Sequence, residues 1–190
     1  MWKAWGHFKT ITKHRHLVMR GCFKLGLYRQ GLLHDLSKYS PTEFLIGAKY
    51  WTGKESPNNG ERRATGMSQS WLHHKGRNKH HIEYWIDYSW EKDVPMVGMK
   101  MPIPYVVEVF IDRLSACKNY QGENYVEKNP LEYYLRGKDH TVIHPDSGAL
   151  LEGLLRMLAD KGEEETFKFI RANVLTRKGL EYGKGYEKII

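Results

Sequence analysis

The sequence predicts an all-α protein. Apolar residues recur every three to four positions over residues 5–29, 105–120 and 148–160. Helix-start signals precede several of the apolar segments. No segment alternates apolar and polar residues strongly enough to read as a strand.

The first helix is expected over residues 5–29, with Phe8, Ile11, Leu17, Val18, Cys22, Phe23 and Leu25 at helical spacing. Gly31 should break it, and Leu32–Leu36 should start a short second helix. Ser40-Pro41-Thr42-Glu43 is a start signal: Ser40 as N-cap, Pro41 at the first helical position, and Glu43 as the acid of a capping box. That helix should run to about Trp51. Residues 56–60 read as a loop, followed by a helix over about 63–75 that Gly76 stops and a short one near 80–88. Residues 89–103, with Pro95, Gly98 and Pro102, read as a loop. Tyr105 to about Tyr120 is a strong helix with Val106, Val107, Phe110, Ile111 and Leu114 on its apolar stripe. Asn129-Pro130 opens a short helix, Asp146-Ser147 caps one over 148–160, and Gly162 separates a last helix over about 163–175.

A chain of 190 residues fits one domain, here 1–175, with 176–190 as a loosely held basic tail. Hydrophobic content of 41% and charged content of 27% are those of a folded globule rather than a disordered chain. No apolar run reaches the ~18 residues of a membrane span, and the amino end lacks the apolar core of a signal peptide. The two cysteines, Cys22 and Cys117, form no disulfide framework, so a cytoplasmic, reduced setting is expected. A net charge of +8 favours anionic partners, although only Lys75-Gly-Arg77-Asn-Lys79 is a dense basic patch.

The ten histidines are more specific. The residues with metal chemistry fall in four places: His14 or His16 on the first helix; His34-Asp35 with Lys38 one turn later; His73-His74 and His80-His81; and Asp112 within the 105–120 helix. Imidazole and carboxylate are the ligands of catalytic first-row transition metals, whereas closed structural zinc sites more often recruit cysteine. His34 and Asp35 differ by about 100° around a helix, so both reach one cavity only at a wide or two-metal site. Asp112 sits among apolar neighbours, where a carboxylate must be paired or metal-bound. Trp71, Tyr84 and Trp85 flank the histidines and fit either base stacking or the core.

This combination resembles the HD superfamily of metal-dependent phosphohydrolases, whose pattern is His…His-Asp…Asp on a helical bundle. The resemblance is closer to the binuclear, HD-GYP-like ligand set, where a Lys follows His-Asp as in His34-Asp35-Leu-Ser-Lys38. The stretches HDLSKYSPTEF and WLHHKGRNKHHIEYW, which contain HHKGRNKHH, look like a small bacterial and phage family with no assigned reaction. The resemblance spans about residues 10–120 and implies an HD-domain-like bundle. It implies one metal on His14, His34, Asp35 and Asp112. A second metal would share Asp35 and add His80, His81 and His74 or His73. His14 is preferred to His16 because it stands four residues before Val18, similar to the His-x-x-x-Val of HD first helices. Two divalent transition metals are implied, Fe or Mn before Zn, Co or Ni.

The implied activity is hydrolysis of a nucleotide or other small phosphate ester by a metal-bridging hydroxide. Lys38 would stabilise charge on the transferred phosphoryl group, while Arg77 and Lys79 would position the phosphate. The expected partner is thus a small anionic phosphate, with no membrane and with nucleic acid less favoured. A di-iron oxygenase on the same ligands and a non-catalytic nucleic-acid or protein-binding scaffold are the other two readings.

Overall fold

The computed structural model describes residues 2–176 and holds eight α-helices and one short hairpin among them. Of the expected tail, only Thr176 falls within the described residues.

Helix α1 (Trp2–Lys24) stops earlier than its periodicity suggests, because the chain turns at Gly26 (φ 77°) before α2 (Tyr28–Leu33). Gly31 does not break the helix; it lies inside α2. Its missing side chain lets α2 lie on α1, since a Cβ there would come within 3.0 Å of Cys22 Cβ. The expected Leu32–Leu36 helix is also absent. Asp35 takes a left-handed conformation (φ 54°), the one non-glycine residue to do so among those described, and Leu36–Tyr39 forms a single 3-10 turn. The 100° helical offset between His34 and Asp35 therefore does not apply. Aspartate is one of the few residues that tolerates this region.

Helix α3 (Pro41–Tyr50) starts at Ser40-Pro41 as expected, but no capping box forms, because Ser40 makes no side-chain cap bond. The next region departs further. Ser56-Pro57 repeats the Ser40-Pro41 start, with Pro at the first helical position, so α4 (Pro57–Thr65) occupies the expected loop. Gly66 (φ 79°) ends it, and Ser68 Oγ caps α5 (Gln69–Lys75) by accepting from Trp71 N at 3.0 Å. Buried Glu61 ties the two helices together, accepting from the hydroxyls of Ser68 and Ser70 at 2.6 Å each.

Where a helix near 80–88 was expected, Ile82–Trp85 makes one 3-10 turn and leads into β1 (Ile86–Tyr88). Strand β1 pairs antiparallel with β2 (Met96–Gly98), in the register Ile86 to Gly98 and Tyr88 to Met96. Three residues per strand are too few to show alternation, and Pro95 and Gly98 disguise them further. Helix α6 (Ile103–Gln121) and α7 (Asn129–Gly137) follow expectation. Helix α8 (Pro145–Phe169) is kinked at Gly162 (φ 82°, ψ 172°), which separates its two halves as expected. Its cap is His144, whose ring accepts from Asp146 N at 3.2 Å, rather than Asp146 or Ser147. A π-helical turn, Ile170–Val174, closes the described chain.

Helix α6 runs through the middle of the fold. Val107, Phe110 and Ile111 meet Val18 and Cys22 of α1 on one side and Leu151, Leu154, Leu155 and Leu158 of α8 on the other, all completely buried. Each such side chain contributes about 1.5–3 kcal/mol of transfer free energy. Packing α1 against α6 is what brings His14 next to Asp112. Among the described residues no helix is long and apolar enough to cross a membrane.

Candidate metal centre

The four groups of residues singled out in the sequence converge on one buried carboxylate, Asp35. Its Oδ2 lies 3.3 Å from His34 Nε2 and 3.6 Å from His14 Nε2. Its Oδ1 lies 3.2 Å from His74 Nε2 and 3.4 Å from His80 Nε2. Asp112 Oδ1 completes the first side, 2.9 Å from His14 Nε2 and 3.6 Å from His34 Nε2. His81 completes the second. Two sets thus form, His14–His34–Asp35–Asp112 and Asp35–His74–His80–His81, each with its donor atoms within 4.8 Å of one another, and they share Asp35. Each could hold one ion.

The local backbone explains the convergence. His14 is one helical turn from Val18 on the buried face of α1, and Asp112 adjoins Ile111 on α6. The left-handed Asp35 sits between α2 and the 3-10 turn, while α5 delivers His74 and the segment after it His80 and His81.

The polar accounting is unusual. Asp35 Oδ1 and the Nε2 atoms of His14, His34, His74, His80 and His81 are all buried without a hydrogen-bond partner. Several stand near a carboxylate oxygen, as His14 does at 2.9 Å from Asp112, yet lack hydrogen-bond alignment. Buried polar atoms are normally satisfied, and each that is not costs about 1–3 kcal/mol. Six around one point fit a cation site, because lone pairs aimed at a common centre are what a metal ion requires.

Two carboxylates outside the expected ligand set hold the rings. Glu108 Oε1 accepts from His34 Nδ1 at 2.9 Å and lies 3.2 Å from His80 Nδ1. Glu43 accepts from His73 Nδ1 at 2.6 Å and from His74 Nδ1 at 2.7 Å. With Nδ1 protonated towards a carboxylate, Nε2 keeps its lone pair for the cavity, the usual arrangement behind metal-ligating histidines. Ser37 and Asn78 add contacts to His74 Nδ1 at 3.1 and 3.2 Å. Glu43 is therefore committed to this site rather than to a capping box. Glu108 precedes Asp112 by one turn on an otherwise apolar stripe, a signal legible in the sequence. Nothing in the sequence pattern marks Ser37 or Asn78.

Of the paired alternatives, His14 is buried in the cluster and His16 is exposed on the opposite face. His74 faces Asp35, whereas His73 stands behind it on Glu43. The Lys38 ammonium lies 2.5 Å from Asp35 Oδ2. Arg77 and Lys79 are not brought to the cluster. Both are exposed in the turn after α5; Arg77 donates to His73 O at 3.3 Å, and Lys79 lies over the Tyr84 ring. A cavity of about 560 Å³ opens onto the cluster, and its basic lining residues are instead Lys38, Lys54, Arg62 and Arg113. Trp71 lines it and meets the His81 ring edge-on at 4.7 Å, while Trp85 packs against the core.

The carboxylates dominate the charges at the centre: burial lowers His34, but Asp35, Asp112 and Glu108 outweigh it and hold the ring well above the usual imidazole range, so a bound metal would have to displace that proton. Burial pushes the Asp35 carboxyl up, but His34, Lys38 and His74 outweigh it and hold it well below the ordinary value. Asp112 is lowered likewise, burial being overcome by His14 and His34. Burial, with His80 and His74 beside it, keeps the His81 ring well below the usual imidazole range and so neutral. Asp35, Asp112, Glu43 and Glu108 thus surround the centre as anions, with Lys38 the permanent cation among them.

No curated protein and no solved structure matches the chain. Residues 3–157, which run from α1 into α8 and include every member of the cluster, match the family of unknown function DUF5662. The chain belongs to that family.

Proposed function

We propose that the protein is a metal-dependent phosphohydrolase of HD type, acting on a nucleotide or other small phosphate ester with two divalent transition metals. The observation that carries this reading is the division of ligands around Asp35: one carboxylate oxygen faces His14 and His34, in the set that Asp112 completes, and the other faces His74 and His80, in the set that His81 completes. Bound divalent ions would supply Lewis acidity and bring the pKa of water towards neutrality. Imidazole and carboxylate donors without sulfur suit Fe or Mn as well as Zn.

The chain's own groups do the rest. Glu43 and Glu108 fix the tautomer and orientation of three ligating rings. Lys38, at the edge of the cluster, offers its ammonium to the non-bridging oxygens where charge builds in the transition state. Arg62 and Arg113 line the cavity wall and would hold the phosphate there in place of Arg77 and Lys79. Trp71 gives that wall a flat face, and a volume of about 560 Å³ is of the size that takes a nucleotide-sized ligand. A cytoplasmic setting fits the two free cysteines, Cys22 and Cys117.

The test is metal analysis of untagged protein beside hydrolysis assays on phosphate esters and a nucleotide panel, run with and without oxygen. Two ions per chain and oxygen-independent hydrolysis are expected, and Asp35→Ala should remove both. Full metal content and full activity in Asp35→Ala would overturn the reading, and turnover that requires oxygen would replace it with an oxygenase.

A further inference from the structure

The outer face of α1 carries a feature unrelated to the metal centre. Its 23 residues include six Lys or Arg and no Asp or Glu. Lys9, Lys13, His16 and Arg20 follow one another at steps of four, three and four, so they form one line on a helix. At 100° per residue this line lies opposite His7, Ile11, His14 and Val18, the face turned to the core and the cavity. All four residues are exposed, they share a shallow depression, and none makes an ion pair among the described residues. Trp2 and Trp5, 86% and 59% exposed, continue the line towards the amino end, with Lys9 over the Trp5 ring at 5.2 Å.

Such a stripe is not what helix stability favours. Like charges four residues apart repel, and Lys3 sits at the end of the helix where the dipole disfavours a cation. An anionic partner removes both penalties. The stripe is narrow and roughly 16 Å long from Lys9 to Arg20, which suits a linear polyanion. A lipid surface suits it less well: a membrane-binding helix needs a continuous apolar side to sink between acyl chains, and the aliphatic residues Ile11 and Val18 of α1 are buried in the fold, leaving aromatic rings as its large exposed apolar groups. Exposed indoles in line with cations are the combination that holds single strands, with phosphates on the charges and bases on the rings.

We propose that the outer face of α1 binds single-stranded nucleic acid, with Lys9, Lys13 and Arg20 on its phosphates and Trp2 and Trp5 stacking its bases. The face is directed away from the cavity, so binding there is independent of the metal centre and stands whether or not the hydrolase reading holds.

The test is fluorescence anisotropy of the full chain with a labelled thymidine oligonucleotide of about 20 nucleotides, longer than one aromatic-lined site covers. Three phosphate contacts predict a slope of about −2 for log K against log salt. Lys13→Glu combined with Arg20→Glu should lower affinity at least tenfold and flatten that slope, with circular dichroism and metal content unchanged. Trp2→Ala with Trp5→Ala should lower affinity about tenfold or more while leaving the slope alone. Wild-type affinity and slope in the charge-reversed protein would overturn the proposal. So would duplex DNA bound as tightly as the single strand with the tryptophan variants silent, or phosphatidylserine vesicles retained where the oligonucleotide is not.

Discussion

Asp35 performs three tasks at once: it splits its oxygens between two ligand sets, pairs with Lys38, and turns the chain in the left-handed region. Substitutions must separate these. Asp35→Ala removes the charge and also strains the backbone, since a Cβ without a local hydrogen-bonding group costs roughly 1–2 kcal/mol there. Asp35→Asn keeps the shape and tolerates the backbone, so it should fold like the wild type yet lose metal from both sets; metal content beside thermal stability checks this. Lys38 is the complementary case. Lys38→Met keeps the aliphatic stem and removes the ammonium 2.5 Å from Asp35. Metal content should hold while kcat falls roughly 10²–10³-fold, the loss expected for one transition-state charge stabiliser. An unchanged kcat in Lys38→Met would assign the lysine to structure alone. Glu108→Gln tests the ring-holding role, because an amide can present its NH2 where the carboxylate accepted. Its metal affinity should drop about 10- to 100-fold, measured by competition with a chelator.

At the scale of elements, the centre depends on how closely α1 lies on α6. Gly21 permits that approach: a Cβ there would stand 2.6 Å from Ile111 Cγ2, and Ile111 is fully buried beside Asp112. Gly21→Ala gains about 1 kcal/mol of helix propensity but pays an overpacking cost of about 1–3 kcal/mol. The helices should shift apart, so both stability and metal affinity should fall; a more stable Gly21→Ala protein with normal metal binding would show that the contact does not set the site. The same elements explain what the sequence reveals. The core of α6, the cluster histidines, Asp35 and Asp112 follow from period and chemistry, because a buried stripe or a His-Asp pair is a local signal. The left-handed turn at Asp35 and the close seat of Gly31 on Cys22 are not local, since they arise from tertiary contact. Ser56-Pro57 was legible by the rule already applied to Ser40-Pro41, and the asparagines and glycine after it hid a helix start. Arg77 and Lys79 looked like substrate ligands because they lie between the histidine pairs, but the turn between those pairs carries them outward.

For the whole molecule, the cluster is where separate parts of the chain meet: α1, the 34–39 turn, α5 with the histidines after it, and α6. Only α1 and α6 among these also share the central apolar core with α8. Asp35, Asp112, Glu43 and Glu108 gather four carboxylates around Lys38, beside six unsatisfied donor or acceptor atoms. Cations that bind the folded chain and not the unfolded one stabilise it by about 2.7 kcal/mol at a hundredfold excess over Kd. For a chain of this length that amounts to roughly 5–10 °C in Tm. Stripping metal from the wild type with a chelator should lower its Tm by that amount, and metal should restore it. Asp35→Asn, unable to bridge the two sets, should melt at one temperature whatever the metal or chelator. Hydrogen exchange should show where the lost stability resides: protection should fall in α5 and residues 34–39, which few apolar contacts hold, and persist in α6 and α8. Equal protection in all four segments after metal removal, or an unchanged Tm in protein shown to have lost its metal, would mean that apolar packing alone fixes the cluster.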